Sequence, residues 1–524
     1  MKIRSDILRT YQSLHTWTGI IAGLVLFIGF YAGSLTMFKT ELTQWATPDN
    51  YKLAQIPTDK FDALVLKASE DFGKAQQNFT LNFSAEKSPM TWYENGGERG
   101  LQLNDTLRHV TLSENDELIS QVSPVNELGE LIDMLHRTAG IAGKVGHEDL
   151  GVLVLGVASV LYFIALVSGV IFLLPTLTKS FFALRKTKNA SRFWLDSHNL
   201  VGVISLPFHL IIAWTVVVFA FHDMFYGGLS IIYGDKPLFE RGKEAAIEYN
   251  IKALPSVTAY QNKIEEISDG YHVTSLSFSN LHSKSPSVAV YIVNQSELMR
   301  SNMGDVIYMN PYTLEVQYSS IQLSDDDIYT PAVISFFALH FGSYGGDWGR
   351  WLYFILGLLG AFLFYSGNLL WLEKRRQKRT EQTKSVHLMA SLTIGICLGS
   401  LLAVATTLLL SRWFYLISPM VNPYYMGCYY TVFFGALCYS FYRGAALSAI
   451  HLLYTLALIC LLIPVTTLLT TLWSSIALWE FSNMTSILIN ITASIFALLF
   501  YIAARKAAIR AYHGERESIW ALTA

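Results

Sequence analysis

The chain is poor in charge and in cysteine. Charged residues make up 15% of its 524 positions, against roughly 25% in an average soluble domain. With a hydrophobic content of 52%, that deficit excludes an ordinary soluble protein. The four cysteines, Cys397, Cys428, Cys438 and Cys460, all lie in or beside the last four apolar runs. Neither a disulfide framework in an external loop nor a cysteine metal site is expected. No GxGxxG follows a strand, and GxxxxGK[ST], HExxH and GxSxG are absent. A dinucleotide domain, a phosphate loop, a zinc protease and a serine hydrolase are thereby set aside.

Long apolar runs are what the chain does have. Eight are long enough to cross a bilayer, which takes about 20 residues. The expected fold is therefore a mainly α-helical membrane protein with eight transmembrane helices. An N-terminus and first span (1–38) precede an external loop (39–149), a second span (150–175) and a short loop (176–198). A third span (199–222), a second external loop (223–348), a fourth span (349–372) and a basic loop (373–386) follow. A four-helix bundle (387–505) and a tail (506–524) complete the chain.

The basic clusters "MKIRSDILR", "TKSFFALRKTKNASR", "EKRRQKRTEQTK" and "ARKAAIRAYHGER" all fall on one side if all eight runs span. By the positive-inside rule that side is the cytoplasm, with both termini on it and the two long loops opposite. These runs read as determinants of topology; no nucleic-acid partner is expected. The first run carries no small-x-small cleavage site and reads as a retained anchor. Alternating segments such as "SVAVYIVNQ" and amphipathic ones such as "FDALVLKASEDFGKAQ" predict a small α+β module in each external loop.

The first 375 residues form a tandem repeat. Each half has a histidine-started span ("SLHTWTG", "DSHNLVG"), a long loop, a second histidine ("MLHRTAG", "ALHFGSYGG") and a returning span with an aromatic–Ser–Gly pattern. His15 thus pairs with His198 at the cytoplasmic end, and His136 with His340 at the external end. Ser168–Gly169 matches Ser366–Gly367. A single helix-end histidine is better explained by a headgroup or a carbonyl. Four, ordered by a repeat into two same-side pairs, suit axial ligands of two b-type haems. Gly19, Gly23, Gly29, Gly33 and Gly202 are positioned to leave room for a porphyrin.

His209 lies 11 residues after His198, near the same helix face and about 16 Å further along. It is either an alternative ligand on the external side or a partner for the carbonyl that Pro207 leaves unpaired. His222, His387 and His451 read as interfacial, and His109, His147, His272, His282 and His513 as loop residues.

These units, "LHTWTGIIAG", "LHRTAGIAG", "DSHNLVGVISLPFH" and "LHFGSYGG", resemble the PepSY-associated transmembrane helix family over roughly residues 5–380. That family comprises iron-regulated inner-membrane proteins and includes ferrisiderophore reductases. The resemblance implies a bacterial inner membrane, PepSY-like periplasmic modules and two haems b between four helices. It implies a ferric-siderophore reductase activity, in which one-electron reduction of a periplasmic ferric siderophore or other ferric chelate releases ferrous iron. Carried onto this chain, the ligands to haem iron are His15, His198, His136 and His340, with His209 as a fifth candidate. The bundle after residue 386 departs from the shorter members and leaves room for contact with a quinol or another membrane electron donor. Two rival readings are a haem-free anchor whose PepSY modules bind and regulate a partner, and a permease for iron or a siderophore. The permease would need polar groups buried in the last four spans, where Thr406, Thr407, Thr466, Thr467 and Asn490 are the few on offer.

Overall fold

A computed structural model describes residues 4–48, 51–97, 100–146, 148–176, 190–233, 250–283, 285–301, 304–324, 326–376, 382–472, 484–514 and 518–522. The expected loop histidine His147 and most of the basic run "TKSFFALRKTKNASR" lie outside the described residues. The chain divides into two compact units. One comprises 1–47, 126–222 and 352–524; the other comprises 48–125 and 223–351.

The first unit is helical. Six helices among the described residues are long and apolar enough to cross a membrane: α1 (Ser5–Thr36), α5 (Leu150–Leu173), α11 (Gly346–Arg376), α12 (Lys384–Leu410), α14 (Ala445–Leu472) and α15 (Met484–His513). At about 1.5 Å per residue even the shortest of these is about 36 Å long, enough for a hydrocarbon core of about 30 Å. The third expected span is not one straight helix. It is broken at Ser205 into α6 (Ala190–Ile204) and α7 (Leu206–Ala220), bent by 69°, and the short α8 (His222–Tyr233) follows. Pro207 explains the break, because it lacks the N–H that would continue the helix and its ring crowds the carbonyl one turn back. The sixth run forms α13 (Asn422–Arg443), long enough to span. Its six tyrosines leave it below the mean hydropathy of the other six.

The short helices α2 (Lys39–Ala46) and α4 (Leu128–Thr138) flank the spans. The C-terminal helices are tied to them by hydrogen bonds. Asn126 Nδ2 donates to Tyr415 Oη and Tyr425 Oη at 3.0 and 3.1 Å. Arg412 Nε donates to Trp45 O at 2.6 Å, and Tyr430 Oη to Gly140 O at 3.0 Å.

In the second unit the two expected modules turn out not to be separate. Each loop supplies a helix and four strands: α3 (Phe61–Asp71) with β1–β4 (Phe79–Asn82, Met90–Asn95, Thr106–Leu112, Leu118–Pro124), and α9 (Val257–Ile267) with β7–β10 (His272–Ser279, Ser287–Val293, Asp305–Met309, Val316–Ser319). All eight strands form one sheet, ordered β10-β9-β8-β7-β1-β2-β3-β4. The pairs β5 (Lys144–Val145) and β6 (Glu148–Asp149) make a separate small hairpin. The two halves join where β1 pairs antiparallel with β7, and the Phe79 and Phe278 rings stack there at 4.6 Å. Left apart, each half would expose its first strand as an edge; the pairing removes both edges. Val288, Val290 and Ile292 of β8 alternate into a core shared with Leu64 and Ala68 of α3 and Tyr260 and Ile264 of α9. His109 and His272 therefore lie on β3 and β7, not in loops.

Candidate functional site

His15 stands on α1 and His198 on α6, one from the first helix of each repeat. Their ring centres are 6.3 Å apart with the planes at 75°. Each packs on the returning helix of its own repeat. His15 Nδ1–H donates to Ala165 O of α5 at 2.8 Å. His198 Nδ1 lies 2.9 Å from Ser366 Oγ of α11. That hydroxyl gives its own proton to Leu363 O at 3.1 Å, so it accepts from the ring.

Ala165 and Leu363 each stand three residues before the matched serine of their repeat. The same carbonyl position thus serves both histidines, directly in one half and through a hydroxyl in the other. Both acceptors require the proton on Nδ1, which makes Nε2 the lone-pair nitrogen, the form in which imidazole ligates metals. Neither Nε2 has a hydrogen-bond partner among the described residues.

Gly169 makes the His15 position sterically possible, since a Cβ there would stand 2.9 Å from His15 Nδ1; one on Gly367 would stand in ordinary contact, 3.5 Å from His198 Cε1. Gly19 borders open space, and Gly202 would meet only a Leu363 methyl at 3.7 Å.

Two further histidines pack against the other half of α1. His136, on α4, donates from Nδ1 to Gly29 O at 2.8 Å. A Cβ on Gly33 would lie 2.7 Å from that nitrogen. Gly29 and Gly33 accordingly have distinct uses, one presenting its carbonyl and the other clearing the ring. His209, on α7, is completely buried, and neither of its ring nitrogens has a partner. It therefore does not satisfy the carbonyl freed by Pro207. Phe30 lies at 5.7 Å and Tyr162 at 6.0 Å between ring centres, and a Cβ on Gly360 would come within 3.0 Å of its Cε1. The Tyr162 hydroxyl is buried without a partner too. Buried polar atoms left unpaired cost roughly 1–3 kcal/mol each, so such a cluster needs an explanation.

A model of the PepSY-associated TM region matches residues 12–374, which contain every one of these histidines. The chain belongs to the PepSY-associated transmembrane family. The match covers both repeats of this PepSY-family protein and leaves the helices after residue 374 outside it. A search of curated proteins gave no significant match.

The sequence pattern named His340 as the repeat counterpart of His136. It lies in the last turn of α10 (Tyr329–Phe341), edge-on to Phe341 at 5.2 Å, and belongs to the second unit. The other four candidate histidines share the helical unit. Sequence reasoning did not single out Tyr162, Ala165 or Gly360. For Ala165 the signal was present, since it occupies a fixed offset from a serine already matched across the repeat. Tyr162 and Gly360 carried no comparable mark.

Proposed function

We propose that this membrane protein carries electrons through two haems b to a ferric siderophore or related ferric chelate in the periplasm. The observation that carries the reading is the His15–His198 pair. Their ring centres are 6.3 Å apart and each ring has its Nδ1 engaged and its Nε2 without a partner among the described residues, so the two imidazoles would serve as a ligand pair for one haem iron.

A histidine kept only for structure looks different in the same chain. His109 uses both ring nitrogens, Nδ1 with Ser88 Oγ at 2.9 Å and Nε2 with Ser123 Oγ at 2.8 Å. His15 and His198 use only Nδ1, and in each that bond fixes the tautomer and aims the ring, as the outer partners of ligating histidines do.

His15 and His198 would hold the inner haem. The outer one would take His136 with His209 or His340, and the two unpartnered nitrogens of His209 favour it over His340. When bound, haem supplies one-electron iron chemistry at a potential set by its axial ligands and its burial. The chain's own part is to orient four imidazoles, to clear space with Gly33, Gly169 and Gly360, and to keep water out with Phe30 and Tyr162, on which the Phe364 ring packs at 5.2 and 5.0 Å.

In this reading all eight runs span an inner membrane, both termini are cytoplasmic, and the sheet unit is periplasmic, as the basic clusters require. A quinol or another membrane donor supplies the electron. Reduction of the chelated ferric ion to ferrous weakens its hold and frees the metal. The permease reading finds less support. Thr406, Thr407 and Thr467 donate to carbonyls of their own helices, and Asn490 is engaged by Thr467 and Ser486.

The test is stopped-flow mixing of dithionite-reduced protein, freed of excess reductant, with a ferric chelate. Reoxidation of the haem bands with capture of ferrous iron by a chromogenic chelator is expected. Reduced haem that no ferric chelate reoxidises would overturn the reductase reading.

A further inference from the structure

The sheet unit holds a cavity of about 260 Å³ that none of the preceding chemistry uses. Its lining includes Arg300, Tyr318, Asp327 and Tyr329, with Ile321 and Val333 forming an apolar wall. Arg300 is its principal feature. The guanidinium lies over the Phe337 ring at 4.2 Å, and Nη1 donates to Tyr318 Oη at 2.6 Å. It makes no ion pair with a carboxylate among the described residues.

Neither nearby carboxylate meets the guanidinium in an ion pair, although Asp305, whose Oδ2 is buried without a partner, acts on Arg300 through space. Asp305 Oδ1 accepts from the Arg300 backbone N–H at 2.9 Å and from Ser320 Oγ at 3.1 Å. Asp327 Oδ1 accepts from Thr330 N at 3.0 Å at the start of α10. Of the five guanidinium N–H donors, one is spent. An aromatic face and a neutral phenol hold the fork in place with no carboxylate bonded to it, the arrangement that suits a bidentate oxyanion. Tyr329, 61% exposed, stands at the rim. The volume is just below the range of about 300–1,000 Å³ that encloses a whole small ligand. The cavity therefore suits one arm of a larger molecule better than all of it.

We infer that this cavity is a binding site for an anionic oxygen-donor metal chelate, with Arg300 engaging a carboxylate of the chelate. The inference rests on the ferric-chelate reading above, naming its substrate class as anionic, and its test is independent of electron transfer. Gallium(III) citrate, a redox-inert mimic of the ferric complex, is titrated into the full-length protein in detergent by calorimetry. Iron-free citrate and the gallium complex of a linear trihydroxamate, which carries no free carboxylate, are titrated beside it.

Gallium citrate binds the wild-type protein. Its affinity falls about 10- to 100-fold in Arg300→Gln, as expected for loss of a charge-assisted hydrogen-bond pair. Arg300→Lys, which keeps the charge and loses the fork, falls between them, and Tyr318→Phe weakens binding less than Arg300→Gln. Equal binding by wild type and Arg300→Gln, or none by the wild type, overturns the site. Iron-free citrate binding as tightly as the gallium complex, or the trihydroxamate showing the same dependence on Arg300, overturns the assignment to an anionic chelate. If gallium citrate binds through Arg300 but the protein holds no haem, the electron-transfer reading fails and the site stands.

Discussion

His198 Nδ1 donates to Ser366 Oγ at 2.9 Å, and the same hydroxyl passes its proton on to Leu363 O. The serine is inserted between a ring and the carbonyl that the other repeat uses directly. Replacing Ser366 with alanine leaves that carbonyl behind the ring. Ser366→Ala should therefore retain both haems while weakening the bond that makes His198 a better electron donor. One of the two midpoint potentials should rise in a spectroelectrochemical titration, with the other unmoved. Two unchanged potentials would remove Ser366 from any role in tuning.

The tight glycines make a second prediction. Gly169→Ala puts a methyl group against His15, and Gly33→Ala puts one against His136. Each variant should fold and should lose one of the two haems, lowering the haemochrome count from about two to about one per chain. A full complement in both variants would show that these rings do not hold the cofactor.

His209 distinguishes ligand from packing by the sign of an effect. Replacing an unpartnered buried imidazole with leucine removes a desolvation cost of about 1–3 kcal/mol. His209→Leu should thus raise the melting temperature of haem-depleted protein while halving the haem content of loaded protein. His340→Leu, measured beside it, should leave the haem content unchanged. The opposite pattern would return the outer ligand to the repeat partner first suggested by the sequence.

His109 gives the sheet unit a dependence on pH. Burial pushes its pKa down to about 4, against about 6.5 in an unfolded chain. Between those values the unfolded chain binds the proton that the folded one rejects. Its contribution to stability is complete above pH 6.5 and is lost as the pH falls towards 4. Full-length protein should melt progressively lower over that window. His109→Gln, which keeps a polar side chain and cannot charge, should show a shallower decline. Identical slopes would contradict the assignment.

Much of this organisation was legible in the sequence, and the reasons differ by element. Hydropathy and basic clusters marked the long spans because a bilayer imposes length and composition directly. The break at Ser205 was less visible, since an apolar run with one proline reads the same whether it bends slightly or sharply. The repeat located His15 and His198 because both copies kept the same helix-start position. It did not reveal that β1 would pair with β7, because edge pairing between distant strands depends on backbone groups that every residue carries. For the same reason His136 was matched to His340 by position, while His209, outside the repeat, stood open between two roles. Its burial with both nitrogens unpartnered is a fact of packing that spacing along a helix does not encode. Arg300 was invisible for a related reason: its importance lies in the carboxylates it does not meet.

The proposed electron path requires that this chain bind two haems b. Its most direct test is the optical spectrum of detergent-purified protein, oxidised and dithionite-reduced, with a pyridine haemochrome count on the same sample. Sharp reduced α-bands and about two haems b per chain are expected, with the count falling in His15→Ala and His198→Ala. A featureless spectrum from well-folded protein, expressed with ample haem supply, would contradict it and leave the haem-free PepSY anchor as the reading to pursue.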